Sequence, residues 1–493
     1  MIRILSTLSK TNPGRTGLYV LSGLGVFMLA GYLAIVFVSF GFEYAQWDIT
    51  SQTLAYIGLA MALGVGCSLL VWLVPRLKAG RAVLAAIFIV GLCARLIMFA
   101  SNPVLEDDWH RYLWDGASVA NAVDPYAYAP AEATHVTRLG EKLDWSDDPK
   151  LARLQELTEE DYLVFARINY PYFKTIYPPI AQAGFGFAHL LAPYSLNGWR
   201  AVLLGVDLLS FVLILWGLKA YGRSVLWVGL YWWNPVIVLE MFNAGHMDGL
   251  IVPFLVGTLV LVRLGRLRLA LVALAGAAAV KLWPVLLAPA VVRRVMFKPV
   301  ALIGYAALFC LIAGMLLWPQ LRHVFGLIPG EGIGVIDPDQ GLVAYAEGWR
   351  RNAFLFTVLS DGLFGWLDDD GALARRIVMI IVALGALLIA WKRGAETDPL
   401  PATCLAVIAL LIFLSPTGYP WYQIWLAGLI PFAPRLGYLA LMTTAPLYYT
   451  RFLLGDSDPL YQYLIVPLAF GIPLLLLGLP YLFKAARLRK GAV

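Results

Sequence analysis

Glu106-Asp107-Asp108-Trp109-His110-Arg111-Tyr112-Leu113-Trp114-Asp115-Gly116 follows directly on an apolar run, Val83 to Ala100. That run is long enough to cross a bilayer, so three carboxylates land where hydrocarbon gives way to water. If the stretch is helical, Asp108, Arg111 and Asp115 fall at i, i+3 and i+7 and share one face. The next turn, Asn121 to Pro130, is a Pro- and aromatic-rich loop. Carboxylates clustered at a membrane interface beside such a loop point to chemistry on a lipid-borne substrate.

Working outward, the composition demands a membrane protein. The 493 residues are 60% hydrophobic and 14% charged, against about 25% charged in soluble domains. Mean hydropathy is +0.75. Hydrocarbon tolerates only helices or closed barrels, and these continuous apolar runs lack the alternation a barrel needs. The expectation is an all-α polytopic fold. Cys67, Cys93, Cys310 and Cys404 all sit in apolar runs without metal-site spacing and read as small buried hydrophobes. The net charge of +6 lies largely in short loops, as an orientation signal does, and calls for no nucleic-acid partner.

Arg3, Lys10 and Arg15 place the N-terminus in the cytoplasm. Segments at about 18–40, 52–74 and 82–100 then alternate between acidic loops (Glu43, Asp48) and basic ones (Arg76, Lys78, Arg81). They deliver the acidic stretch to the outer face. Residues 101–198 form the longest non-spanning region, with a charged middle (Glu141, Lys142, Asp147, Asp148, Glu159 to Asp161). Charge parity makes 180–194 a horizontal or half-inserted helix introduced by Pro178-Pro179, since otherwise Arg263 to Arg268 would lie outside. Segments at about 200–219 and 224–242 follow, the second broken by Pro235. The run 267–292 is divided by Lys281-Leu282-Trp283-Pro284, and a further segment ends at Trp318-Pro319. A second outer loop, about 319–352, carries Glu331, Asp337, Asp339, Glu347, Arg350 and Arg351. The last spans fall near 372–391, 401–415, 420–434, 436–450 and 461–483. The expected total is about 12–14 transmembrane helices, with no internal repeat.

This topology brings several chemically useful groups to one face. Asp108 is the candidate general base, with Asp107 able to share the role: an unperturbed Asp, pKa about 3.9, is ionised at neutral pH. The bland alternative pairs Asp108 with Arg111, worth only about 0.3–0.5 kcal/mol. Arg111 and Asp115 read as orienting residues. His246 and Asp248 fit either a helix cap or a substrate contact. A metal would need three or four ligands to converge, so none is expected. Lys281, a charge inside an apolar run, is either functional or snorkelling to the interface. Arg350 and Arg351 suit a phosphate, if they are not ordinary loop charges. Tyr177, Tyr419, Trp421 and Tyr422 read as interfacial belt residues or as a sugar-stacking surface.

These residues resemble the GT-C superfamily of membrane glycosyltransferases, in its mannosyltransferase-like branch that uses polyprenyl-phosphate sugars. Asp108 to Gly116 carries the resemblance, followed by Asp124-Pro125-Tyr126, Ala129-Pro130 and Tyr177-Pro178-Pro179. Trp233-Asn234-Pro235, Gly245-His246-Met247-Asp248, Lys281-Leu282-Trp283-Pro284 and Pro420-Trp421-Tyr422 stand in the matching order. The resemblance implies a GT-C-type fold with two extracytoplasmic loops bearing short helices, and metal-independent, inverting transfer from a polyprenyl phosphate. It makes Asp108 the catalytic carboxylate and Lys281, Arg350 and Arg351 the donor-phosphate ligands. The acceptor would be a glycan or glycolipid on the outer face of a bacterial inner membrane, and membrane lipids the other partners. Two departures stand out: residues 1–81 supply two extra N-terminal helices, and Tyr419 stands where relatives often place His. The chain thus divides into 1–81, a catalytic module 82–318, a second outer loop 319–371 and C-terminal helices 372–493. Two rival readings are a flippase for lipid-linked sugars, which predicts midplane charges and repeated halves, and an O-antigen ligase or polymerase.

Overall fold

The computed structural model describes residues 13–42, 48–134, 148–328, 337–366, 371–392 and 399–490, the side chains of 13–16, 392 and 480–490 excepted. The sequence expectations placed on Arg3, Lys10, Arg15, Glu43, Glu141, Lys142, Asp147, Glu331 and the side chains of the C-terminal tail lie outside what is described. Among the described residues the fold is all-helical, apart from one isolated bridge between Arg351 and Thr417.

The elements that matter are α1 (Pro13–Ser39), α2 (Thr50–Ser68), α3 (Arg81–Met98), α4 (Asp108–Ala120), α5 (Pro149–Glu160), α6 (Pro179–Leu191) and α7 (Leu196–Ala220). After them come the bent pair α8 (Val225–Trp232) and α9 (Pro235–Asn243), then α10 (Val252–Arg263), α11 (Leu267–Val280) and α12 (Pro299–Val324). The chain continues with α13 (Gly341–Gly348), α14 (Ala372–Lys392), α15 (Leu400–Leu414), α16 (Leu436–Thr444) and α17 (Val466–Lys490).

Among the described residues seven helices are long and apolar enough to cross a membrane, eight if the bent pair is one span. The chain is a polytopic membrane protein. Fewer full-length spans are present than the 12–14 expected, and proline accounts for the difference. The α8–α9 span bends by 52° at Trp233-Asn234-Pro235. α11 ends at Val280, where Lys281 turns extended, and the chain resumes as a 3₁₀ turn over Trp283–Leu287. The segments expected at 420–434 and 436–450 are short helices and 3₁₀ turns interrupted at Pro420, Pro431 and Pro446. Most residues of these broken pieces are buried, Val285 at 41% exposed being an exception; irregular backbone is tolerated at membrane depth where it is buried in protein or lines a cavity.

One helix end, and the boundary drawn from it, are corrected, whereas the length of segment 180–194 agrees with a helix that does not span. The helix expected to end at Trp318-Pro319 runs through Pro319 to Val324. Proline costs it one backbone hydrogen bond, but side chains beyond the proline anchor the last turn. Gln320 donates to the Ile176 carbonyl at 3.0 Å and His323 meets Asp124 at 3.1 Å. The proposed boundary at 318/319 therefore cuts a continuous helix. Segment 180–194 forms α6, thirteen residues, or about 20 Å at 1.5 Å per residue, short of the roughly 30 Å of hydrocarbon.

α6 packs along α4 and also touches α7, α11 and α12. The approach to α4 is close because Gly116 lacks a side chain: a Cβ there would stand 2.5 Å from the Phe185 carbonyl oxygen. α1 packs on α2 and α3, α2 on α16, and α16 on α17. Deep in the bundle Arg95 of α3 pairs with Asp207 of α7, both fully buried, and donates to the carbonyls of Gly91 (2.8 Å) and Trp232 (2.7 Å). Tyr231 donates to the same carboxylate. One buried ion pair thus ties α3, α7 and α8 together.

Gly116→Ala is expected to destabilise the detergent-solubilised protein by about 1–3 kcal/mol, the cost of overpacking a tight contact. Gly257→Ala, where nothing lies within 4 Å, is expected to leave the melting temperature unchanged or raise it. Thermal unfolding of the two variants side by side checks this.

Candidate active site

α4 begins at the acidic stretch, with Asp107 at its N-cap position, its side chain making no capping hydrogen bond, and Asp108 its first helical residue. The segment leading in is pinned from below. Asn243 receives Val104 N–H at 3.0 Å and donates to Ser101 Oγ (2.9 Å) and the Asn102 carbonyl (2.7 Å). Leu105 is held at φ 57, the left-handed region where a branched residue is strained. The carboxylates of Glu106, Asp107 and Asp108 then enter the wall of one cavity of about 560 Å³.

That cavity collects most of the candidates. Asp107, Asp108, Tyr177, Asp248, Lys281, Arg351, Tyr419, Trp421 and Tyr422 all line it. Burial pushes Asp108 up to about 7, with the neighbouring Asp107 charge adding to the effect while Asn169 and Lys281 oppose it. Burial also raises Asp107, against the hydrogen bond it accepts from Asn169. Glu106 is raised well above the usual carboxylate range by burial and by the charges of Asp108, Glu240 and Asp107.

Across the cavity Lys281 gives a hydrogen bond of 2.8 Å to Asp248 Oδ1, which also accepts from Trp425 Nε1 at 2.6 Å. The ammonium lies 4.4 Å from the centre of the Tyr422 ring and 5.1 Å from that of Trp425, within cation–π range. Neither bland reading suffices: Lys281 is held by Asp248 and aromatic faces rather than snorkelling, and Asp248 serves as the lysine's counter-ion. Arg351 pairs with Asp456, as does Arg451. The aromatic wall is layered, with Tyr419 stacked on Trp421 at 4.4 Å and Tyr422 on Trp425 at 4.4 Å. Beyond it Trp283, Val378, Met379 and Leu411 continue the cavity as an apolar strip.

Four expected residues stand elsewhere. Arg350 is off this cavity, bonded to both oxygens of Asp361 at 2.7 and 2.5 Å. His246 lies behind the wall, stacked on Trp421 at 3.8 Å, and burial lowers its pKa well below the usual histidine value. Arg111 does not hold Asp108: its Nε donates to Asp115 (2.7 Å) and its Nη1 to the Phe173 carbonyl (2.9 Å). Asp115 in turn accepts from Thr175 Oγ1 (2.6 Å) and Gln182 Nε2 (2.8 Å). Arg111 and Asp115 therefore shape the outer loop around Asp108.

The cavity also contains residues that sequence reasoning passed over. Asn169, Tyr170, Tyr345, Trp349, Arg375 and Arg451 line it. Tyr345 joins the Tyr422 hydroxyl at 2.7 Å and Thr417 at 2.5 Å. Glu240, near His246 at 3.8 Å, was available from the rule that singled out Lys281, since it too is a charge inside an apolar run. Among the described residues no group of three or more His, Cys, Asp or Glu side chains is arranged to hold a metal ion.

Fold and cavity together define a polytopic helical membrane protein with an acidic site facing cations and an apolar strip. The resemblance read from the motifs has a curated counterpart. The chain is 24% identical over 403 residues, 78% of its length and 72% of the relative's, to alpha-(1->6)-mannopyranosyltransferase A of Mycobacterium tuberculosis (strain ATCC 25618 / H37Rv). No family model matches the chain. No solved structure matches it either.

Asp248 is 1% exposed, so removing its partner strands a buried charge. Lys281→Met is expected to cost about 3 kcal/mol, the low end of the range for breaking a buried pair because the ammonium is partly exposed. Adding Asp248→Asn is expected to recover part of the loss. Denaturant unfolding of the single and double variants measures both.

Proposed function

We propose that this protein is an inverting GT-C-type glycosyltransferase. It moves a hexose, with mannose the first choice, from a polyprenyl phosphate to a hydroxyl of an extracytoplasmic glycan or glycolipid. The observation that carries the reading is the single cavity in which carboxylates (Asp107, Asp108) and cations (Lys281, Arg351, Arg375) meet beside an apolar strip. An amphiphilic donor asks for that combination. The similarity to a mannosyltransferase over 78% of the chain supports it.

In this reading the isoprenoid lies along Trp283, Val378 and Leu411 and the phosphate sits toward Lys281 and Arg375. The acceptor oxygen attacks C1 of the sugar from the face opposite the phosphate. The C1–O bond to the acceptor forms as the C1–O bond to phosphate breaks, and the electron pair leaves on the phosphate. One displacement inverts the anomeric centre. Asp108 takes the proton from the acceptor hydroxyl, and its pKa near 7 suits a base working at neutral pH. The departing phosphate needs no proton, only cationic stabilisation of its growing charge. One carboxylate base therefore suffices, where a glycosidase requires two carboxyl groups. The site would lie on the outer face of a bacterial cytoplasmic membrane, and no metal or other cofactor takes part.

Purified protein in lipid, supplied with a short-chain polyprenyl phosphate mannose and a glycolipid extract, tests the reading. Asp108→Asn is expected to lower transfer by about 10²–10⁴-fold with donor binding retained. Loss confined to Asp107→Asn would move the base by one residue. A wild type that binds donor but never cleaves it, whatever the acceptor, would replace the enzyme with a carrier of lipid-linked sugars.

Asp108 must be ionised to act, and burial raises its pKa. kcat/KM is therefore expected to climb as pH rises toward about 7 and then level off, and the pH profile of transfer checks this. Transfer is expected to survive exhaustive chelation with EDTA, and a loss restored by a divalent cation would overturn the metal-independent mechanism.

A further inference from the structure

Asn169 stands on the wall of the cavity already described and also borders a small one, of about 40 Å³, that shares Asp108 with it. It lies 62 residues from Asp107 in sequence, yet its Nδ2 donates to Asp107 Oδ1. The same side chain hydrogen-bonds the carboxylate of Asp108. An amide nitrogen carries two hydrogens, so one side chain can serve both carboxylates.

Its direction is set from both sides. Ile168, before it, is buried in a small core that includes Trp114 of α4. Tyr170, after it, is held at φ 52, a left-handed conformation that is costly for any residue but glycine. The Tyr170 ring packs on Trp349 of the second outer loop at 4.8 Å. Phe173 N–H closes the turn on the Tyr170 carbonyl at 3.1 Å, and the Phe173 carbonyl receives Arg111 of α4 at 2.9 Å. Backbone strain persists only where the surroundings over-determine it, and here they aim one amide at two carboxylates.

The groups that face Asp108 show what the amide supplies. Glu106 and Asp107 on its own stretch and Asp248 from the segment before α10 are acidic. The hydroxyls of Tyr112, Tyr177 and Tyr419 also face it, and Arg167 acts on Asp107. Asn169 and Lys281 favour the Asp108 anion. Lys281, however, is bound to Asp248 at 2.8 Å and, in the reaction proposed above, is drawn on by the donor phosphate. A neutral amide is not drawn toward a phosphate as an ammonium is, and a hydrogen bond to an ionised carboxylate is stronger than one between neutral groups.

We propose that Asn169 is the positioning residue of the base: it fixes Asp107 and Asp108 relative to each other, holds Asp108 in one orientation, and supplies the hydrogen bond that remains when the donor phosphate engages Lys281. The inference rests on the glycosyltransferase reading above and adds to it the group that readies the base.

Wild type, Asn169→Ala and Asn169→Asp in lipid are supplied with short-chain polyprenyl phosphate mannose and the glycolipid extract, and transfer is followed across pH. A donor to a carboxylate favours its ionised form, so Asn169→Ala is expected to move the acidic limb of kcat/KM to higher pH by about one unit. Transfer on that limb then falls about tenfold. Asn169→Asp, similar in size but with a negative charge in place of the donor, is expected to move the limb at least as far. Donor affinity, expected within about twofold of wild type in both, reports that each variant is folded. A side chain that merely held the loop together would lower transfer alike at every pH and leave the limb in place. If either variant binds donor and keeps the wild-type midpoint, Asn169 does not act on the base, and the transferase reading stands without it. If neither variant binds donor, the residue serves the donor site and the proposal fails. A wild type that transfers to no acceptor removes the transferase reading and this one with it.

Discussion

The carboxylate of Asp115 is the point on which the outer half of the molecule depends. It is 1% exposed and receives hydrogen bonds from Arg111, Thr175 and Gln182. Those donors come from α4 itself, from the loop before Tyr177 and from α6. A buried carboxylate is tolerable only when such donors replace water, so the three elements have one arrangement that satisfies it. The same arrangement sets the first turn of α4, and with it Asp107 and Asp108, above the cavity. Gly116, one residue on, lets α6 close against the helix. The motif is thus a folding device and a site at once: its acidic beginning faces the cavity and its acidic end holds the wall.

A second constraint is the bilayer. Hydrocarbon demands paired backbone groups, yet a site needs side chains and loops aimed inward. Among the described residues the chain resolves the conflict by breaking helices where protein surrounds them or where they line the cavity. Asn234 caps the restart of the broken span by accepting Val236 N–H at 3.0 Å. Lys281 interrupts α11 where Asp248 and two aromatic rings receive it. The 416–418 turn is closed by the second outer loop, with Arg351 N–H donating to the Pro416 carbonyl and Gly418 N–H to the Arg351 carbonyl, both at 2.9 Å. The helix most open to lipid, α12, is by contrast unbroken, with only 11% of its apolar window buried.

The legibility of the sequence followed cost. Lys281 and the triple carboxylate were readable because charge beside hydrocarbon is expensive and needs a reason. The bend at Pro235 was readable because proline removes a donor. Arg350 and Arg351 were not separable, since adjacent arginines in a loop carry no periodicity. The bridge to Thr417 and the turn at Asn352, φ 51, accompany their divergence, one toward the cavity and one toward Asp361. His246 looked like its neighbour Asp248, yet Trp421, part of the wall, stands between it and the cavity. The end of α12 was misread because Pro319 is a helix breaker locally, whereas the anchors that overrule it, Ile176 and Asp124, are distant in sequence.

Two opposing influences set the protonation of the first turn of α4. A helix N-terminus favours a carboxylate anion, by about 0.3–1 kcal/mol at an exposed site, and Asn169 and Lys281 act in the same direction on Asp108. Burial and the adjacent Asp107 charge act against it and prevail. A fully hydrated aspartate would hold a proton too weakly to be a good base at neutral pH, and one buried without cations would never release it. Lys281 opposite the carboxylates therefore matters before any phosphate arrives: it limits how far burial can raise Asp108. In the reaction proposed above, a donor phosphate drawing on the same ammonium would weaken that restraint and raise the affinity of Asp108 for a proton as the acceptor hydroxyl gives one up.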